Sequence, residues 1–408
     1  MKGLGLIPDQ GFLLSASGVS RRCTLAVLAA LALFAFFTAA AKTSDEGVVD
    51  DRILFGQSAA FEGPAASLGI DFRDGVLAAF AEANAEGGVG GRALKLISYD
   101  DGYEPETSIE NTRRLIENDG VFALVGEVGT PTSRSSLPLA EKHMVPFVGA
   151  FTGAEFLRDP AHATVVNIRA SYRQEAEALV DYLTGELGLN RIAVLYQDDT
   201  FGRAGLEGAT EALALRGLNL ATSGTYMRNT TAVKRALLTI RNADPQAVII
   251  VGAYQPASAF IKTAKSLGMA PVYAALSFVG SGALAEELGR IDETVLVSQV
   301  VPMFDDRQSP LAARFRAALE KSNPDSEPSF VAYEGYLTAR LVIEALKRLG
   351  AEPTRQGFLD LFRAETTFDI DGLRLTYGPE DNQGSDKVYL TAIGRDGNVI
   401  EVARKGQE

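Results

Sequence analysis

The stretch QDDTFG at 197–202 follows an apolar run and brings two carboxylates, a hydroxyl and an aromatic ring together. Paired acids can work as general acid and base, hold a cation, or receive an ammonium group. The first two uses need partners that this chain does not supply. There are only two histidines, His143 at a helix end and His162 in a loop, and both read as structural or solvated. No G-x-S-x-G, H-E-x-x-H or G-x-x-x-x-G-K segment occurs. Asp100-Asp101, Asp198-Asp199 and Asp305-Asp306 lack the spaced ligands and central glycine of a calcium loop. Asp305-Asp306 reads as a solvated pair. GGVGGR at 87–92 precedes a strand instead of following one, so it reads as a turn and not as a phosphate loop.

What remains is binding chemistry. Segments rich in Gly, Ser, Thr and aromatics follow the strands: SAAFEGPAASLG (58–69), with Ser67, then EVGTPTS (127–133) and AFTGAEF (150–156). Each leads into a helix, where free N–H groups and adjacent hydroxyls can hold a carboxylate. Thr130, Thr132, Thr152 and Gly153 are placed for that, although each hydroxyl could equally be an ordinary helix cap. Later in the chain, QDDTFG, GAYQP (252–256) and LSFVGS (276–281) offer Phe201, Tyr254 and Phe278 as apolar cover. Asp198 or Asp199 could pair with an ammonium, with one of the two acids capping the helix that starts near Phe201.

The elements that carry these segments alternate from Arg52 onward. Strand-like runs such as RILFGQS, ALKLISYD, RIAVLYQ and AVIIVGAY are apolar on both faces, and helical patterns separate them. That pattern predicts parallel sheets covered on both sides, a doubly wound α/β architecture. Two similar blocks, Arg52 to about Asn167 and Arg169 to about Gln299, predict two lobes connected through NIRASY. The tail from 372 reads as strands and hairpins, with a turn at 395–398.

The N-terminus reads as an export signal. Arg21 and Arg22 flank the apolar core Thr24–Ala40, and Ala39-Ala40-Ala41 resembles a cleavage site, so we expect residues 1–41 to be removed. The run approaches the minimum length of a membrane anchor, and its twin arginines leave the export route open. Removing the signal takes Lys2, Arg21, Arg22 and Asp9 from totals of 39 basic and 52 acidic residues, which leaves 36 against 51. Such an acidic balance disfavours nucleic acid and anionic membrane surfaces as partners. The single cysteine, Cys23, lies within the signal, so the mature chain has no thiol chemistry and no disulfide.

Taken together, ILFGQSAAFEGPAASLGIDFRDGVLAAFAEANAEGGVGGRALKLISYDDGYEP, LVGEVGTPTSRSSLPLAEKHMVPFVGAFTGAEFLRD, RIAVLYQDDTFGRAG and YEGYLTARLVIEAL make the chain resemble the type I periplasmic ligand-binding proteins of ABC transporters, in the leucine/isoleucine/valine-binding branch. The resemblance implies two Rossmann-like lobes joined by three crossings, with 48–167 and 301–372 in the first lobe and 168–300 and 373–408 in the second. It implies no enzyme and no cofactor, but a periplasmic receptor that closes on an amino acid or related carboxylate and delivers it to an inner-membrane ABC permease. The ligand-binding residues then fall at Ser67, Thr130, Thr132, Phe151, Thr152, Gly153, Asp198, Phe201, Tyr254 and Ser277. GTPTS stands where branched-chain amino-acid binders show a serine cluster, and no acid is assigned to a ligand's amine. A sensor presenting its closed form to a receptor kinase, and more remotely an exported hydrolase, are the alternatives.

Overall fold

The computed structural model describes residues 46–290 and 292–402, so the expected signal segment and the last residues of the expected second lobe lie outside the described residues. In the first sheet, the short strand β1 (Val48–Val49) turns back antiparallel on β2 (Arg52–Ala59). There follow α1 (Ala66–Ala85), β3 (Ala93–Asp100), α2 (Pro105–Glu117), β4 (Ala123–Val125), α3 (Thr130–Lys142), β5 (Phe147–Val148) and β6 (Val165–Val166). Apart from β1, these strands pair in parallel in the order β3-β2-β4-β5-β6.

The second sheet repeats that order. It comprises α4 (Tyr172–Asp181), β7 (Ile192–Gln197), α5 (Thr200–Ala214), β8 (Thr222–Tyr226), α6 (Lys234–Asn242), β9 (Ala247–Val251), α7 (Tyr254–Ser266), β10 (Val272–Ala275), α8 (Ser281–Leu288) and β11 (Val295–Gln299). The parallel order is β8-β7-β9-β10-β11. The chain then runs through α9 (Pro310–Ser322), α10 (Phe330–Leu349) and α11 (Arg355–Arg363) to the hairpin β12 (Thr366–Ile370) and β13 (Leu373–Tyr377). Finally β14 (Tyr389–Ile393) and β15 (Val399–Glu401) extend the second sheet antiparallel beyond β11.

Burial explains the parallel sheets. Every residue of β4, β9 and β11 is buried, as a strand covered by helices on both faces requires. The GGVGGR turn between α1 and β3 is a turn here too, closed by reciprocal bonds between the backbones of Val89 and Arg92. The boundary expected at 372/373 falls between the paired strands β12 and β13. Asn167, just after β6, bridges to Gln383, so this hairpin continues the first half of the molecule. Among the described residues, no helix is long and apolar enough to cross a membrane.

The long helices α1 and α10 cross at the closest approach that glycine permits. A Cβ on Gly75 would stand 1.8 Å from the Ala332 carbonyl oxygen, and one on Gly335 would stand 2.1 Å from that of Phe72. Because backbone cannot step aside as a side chain can, Gly335→Ala should destabilise the protein by about 1–3 kcal/mol, read as a lower urea midpoint with an unchanged slope.

Candidate ligand-binding cleft

In a sheet of this order, the loops on either side of the point where strand order reverses diverge and leave a crevice at the strands' carboxyl ends. In the first sheet that crevice receives the segments after β2, β4 and β5. In the second it receives those after β7, β9 and β10. The two sets face each other.

On the first side, Gly129 precedes α3 with φ 104° and no side chain to cap the helix. A Cβ there would meet Cε2 of Tyr103 at 2.1 Å, so the bare backbone is also a steric requirement. Since Pro131 has no N–H, the donors to be satisfied at this helix start are those of Thr130 and Thr132. The Thr130 and Thr152 hydroxyls meet at 2.7 Å and are both buried. Thr132 instead turns its hydroxyl to the carbonyls of Val128 and Gly129, at 2.5 and 3.0 Å. Gly153 lets Tyr172 pack against the backbone, since a Cβ there would lie 2.6 Å from its ring. The buried Tyr172 hydroxyl is directed at Thr152 without making a hydrogen bond of ordinary geometry.

Across the crevice the acids of QDDTFG separate. Asp199 is the cap of α5, accepting the N–H groups of Phe201 and Gly202 at 2.9 and 3.3 Å, and it also takes Nε2 of Gln197. Asp198 does not reach the cleft. Its side chain is 55% exposed and pairs with Arg203 at 3.1 Å, because the capping geometry of Asp199 turns its neighbour outward. Phe201, by contrast, is fully buried in the interior.

That interior is a set of rings from both sides. Phe278 lies 4.5 Å from Phe201, 5.5 Å from Phe151 and 5.8 Å from Tyr103, centroid to centroid. Phe72 adjoins Phe151, and Tyr172 adjoins Phe201. Hydrogen bonds close the rims. Ser67 donates to the Tyr254 hydroxyl at 3.2 Å, and Gln197 Nε2 donates to that of Tyr103 at 3.2 Å. Arg228 reaches Glu104 at 2.6 Å, and Asn229 donates to Gly102 O and Glu104. A groove of about 430 Å³ remains open between α3 and α5, reaching Thr130 and Thr200 at its inner end and carrying Arg134, Arg173, Glu207 and Glu211 towards solvent.

Beneath the rings lies a buried ionic cluster. Arg169 meets Glu175 at 2.8 Å and Glu334 at 3.4 Å. Glu175 also accepts the N–H and hydroxyl of Ser277 and the hydroxyl of Ser298. Ser277 therefore serves this cluster; its hydroxyl also meets Arg169. Burial pushes Glu334 up to about 7, with Arg169 opposing. Burial likewise works against the charge of Arg169, but the two carboxylates outweigh it.

The structure thus gathers Thr130, Phe151, Thr152, Gly153, Phe201 and Tyr254 with Ser67 about one cleft, turns Thr132 and Ser277 inward to structural partners, and leaves Asp198 at the surface. Tyr103, Tyr172, Arg169, Glu175 and Gln197 were not singled out as site residues. Only the position of Arg169 and Tyr172 in NIRASY, between the two blocks, could have drawn notice to them.

Two open α/β sheets with facing crevices, an uncapped helix start on one side and a ring wall on the other form a cleft of the kind that can enclose a small solute. Comparison with known proteins gives the family. The profile of the periplasmic binding protein family matches residues 53–398, and the chain belongs to that family, whose members bind substrates and are not enzymes. Leu/Ile/Val-binding protein homolog 7 of Brucella abortus (strain 2308) is 25% identical over 373 residues, covering 86% of this chain and 91% of its own. The crystal structure of a possible leucine/isoleucine/valine-binding protein from Rhodopirellula baltica SH 1 is 38% identical with a TM-score of 0.82, covering 89% of this chain and 98% of that one. A substrate-binding periplasmic protein from Ralstonia solanacearum is 28% identical with a TM-score of 0.79, covering 86% and 100%.

A buried acid at the cleft rim carries a pH signature. Burial pushes Asp101 up to about 7, against bonds from Ser58 and the Tyr103 N–H and with help from the charges of Asp100 and Glu104. The folded state therefore keeps a proton that the unfolded chain has lost once the pH passes about 4, and stability falls as pH rises from there to about 7. Asn can keep both bonds without a charge. Asp101→Asn should match the parent at pH 4 and exceed it at pH 8 by roughly 1–3 kcal/mol, read from urea melts at the two pH values. A second comparison separates the neighbouring acids of QDDTFG. Asp199→Ala should cost about 1–2 kcal/mol as a lost cap, and Asp198→Ala less than about 0.5 kcal/mol, in the same assay.

Proposed function

We propose that this protein is an extracytoplasmic solute receptor that binds an amino acid or related carboxylate between two lobes and delivers it to an ABC permease. The observation that carries the reading is the uncapped start of α3, with Thr130 and Thr152 beside it, facing Phe201 and Tyr254 from the other sheet. Backbone N–H groups and the helix dipole favour a carboxylate there, and the rings exclude water around it.

The first lobe comprises 48–167 with 301 to about 384, and the second 168–300 with the remainder; this moves the boundary beyond the β12–β13 hairpin. The connections near 168–171, 300–301 and 384–388 are the crossings on which the lobes open and close. The rim bonds of Tyr254, Gln197, Arg228 and Asn229 form only when the lobes are together, so the closed receptor offers a permease a surface that the open one lacks. The reading places the chain in the periplasm after removal of residues 1–41. The Brucella and Rhodopirellula relatives, named for leucine, isoleucine and valine binding, support the ligand's size and carboxylate.

Residues 42–408, stripped of ligand by unfolding and refolding, should melt higher with one class among α-amino acids and small carboxylates. At about 100 times its Kd a ligand adds roughly 2.7 kcal/mol of stability, a shift of a few degrees for a chain of this size. Thr130→Val should weaken the responding ligand about tenfold by calorimetry while the empty protein melts within about two degrees of the parent. No shift with any member of the panel would sink the reading.

A further inference from the structure

Two loops meet at the edge of the crevice farthest from the segments that join its two sides. Residues 101–104 follow β3 and residues 227–233 follow β8, and these are the first strands in the parallel orders of the two sheets. The connections near 168–171 and 300–301 follow β6 and β11, the last strands of the same orders, and 384–388 leads into β14 beside β11. Four strand spacings of about 4.8 Å separate one edge from the other, so a rotation about those connections moves the loops further than the groups beside the connections. A contact between the two loops therefore has the longest lever on opening and closing.

Each loop is held in shape by its own side. Gly102 and Tyr103 both take left-handed backbone, φ 57° and 62°, which is costly for a tyrosine. Asp100 and Asp101 hold that turn, accepting the N–H groups of Gly102 and Tyr103 at 3.2 and 2.8 Å. Opposite, Asn229 is also left-handed, φ 57°, a conformation that asparagine tolerates. In the turn that carries it, Thr230 donates to the carbonyl of Met227 at 2.7 Å.

The side chains, in contrast, reach across. Glu104 stands at the N-cap of α2, where a carboxylate could serve its own helix, yet it makes no side-chain cap bond. Its Oε2 accepts Arg228 at 2.6 Å and its Oε1 accepts the amide of Asn229 at 2.8 Å. The same amide donates to the carbonyl of Gly102 at 2.9 Å, and Gln197 donates to the Tyr103 hydroxyl at 3.2 Å. Ser67 and Tyr254 also meet across the crevice, but as neutral groups. The ionic pair keeps contact with water, with the Arg228 side chain 22% and that of Glu104 45% exposed, so salt reaches it.

We propose that residues 101–104 and 227–229 form an electrostatic clasp that holds a share of the receptor closed before ligand arrives, with Glu104 as its central positioning residue. This rests on the receptor reading above and names what regulates its closure. Because each loop keeps its own turn, the lobes part by breaking side-chain bonds without rebuilding either loop. A receptor already partly closed takes less of the ligand's binding energy for closure, so the clasp raises affinity. Salt screens the Arg228–Glu104 pair and shifts the receptor towards its open form.

Residues 42–408 contain no cysteine, so spin labels go only where one is introduced. Glu110→Cys on α2 and Leu238→Cys on α6 put one label on each side, both at exposed positions. Double electron–electron resonance on the refolded, labelled protein without ligand then reads the ratio of short to long separations. Glu104→Ala should lower that ratio at least about fivefold at low salt while melting within about two degrees of the labelled parent, since it removes no helix cap. Raising salt from about 20 to about 500 mM should lower the parent's ratio and leave that of Glu104→Ala in place. Asn229→Gly, which keeps the left-handed turn, should change the ratio less in Glu104→Ala than in the parent. A ratio unchanged by Glu104→Ala, or a parent ratio indifferent to salt, overturns the clasp. The receptor reading is judged separately, by whether any amino acid or carboxylate raises the melting temperature of the unlabelled protein. If the labelled forms do not fold, small-angle scattering of the unlabelled parent and Glu104→Ala decides: a larger radius of gyration in the variant supports the clasp, and equal radii overturn it.

Discussion

The guanidinium of Arg169 is where the two halves of the molecule are tied together. It sits just after the first sheet's last strand, fully buried, and takes one carboxylate from α4 and another from α10. A charge so placed is tolerated only if it is paired and its partners are themselves satisfied, and Glu175 is, by Ser277 and Ser298 at the ends of β10 and β11. The cluster therefore fixes the exit of the first lobe, the entry helix of the second and the floor of the cleft relative to one another. Removing a single member would strand a buried charge, so these positions act as a unit.

Arg158 supports the same junction from beside the loop that follows β5. It donates to the carbonyls of Thr152 and Ala154, to that of Arg169, and to the side chain of Gln383. The loop after β5 and the segments carrying Arg169 and Gln383 thus share one side chain. The loop carrying Thr152 therefore cannot shift far without disturbing those two segments. The ring wall has a complementary property. Six aromatic side chains exclude water, so the few hydrogen bonds at the start of α3 work in a low-dielectric setting where they discriminate strongly.

The sequence by itself determined the architecture, because parallel sheets buried on both faces demand long apolar runs, and runs such as RIAVLYQ and AVIIVGAY have no other stable use. It also determined which loops line the crevice between the sheets, since they must follow the strands. It could not determine how those loops use their side chains. Asp198 and Asp199 are identical in type and adjacent, and only the direction of α5 made one a cap and sent the other to solvent. Thr130 and Thr132 differ in role because two residues are about 200° of helix, which puts one hydroxyl against Thr152 and turns the other back on Val128. Arg169, Glu175 and Glu334 lie too far apart along the chain for spacing to join them, and their charges acquire meaning only once burial forces them to pair. Local pattern carries what depends on near neighbours and on period, whereas the polarity of the cleft depends on which distant groups satisfy one another, and that is settled only when the two sheets are packed.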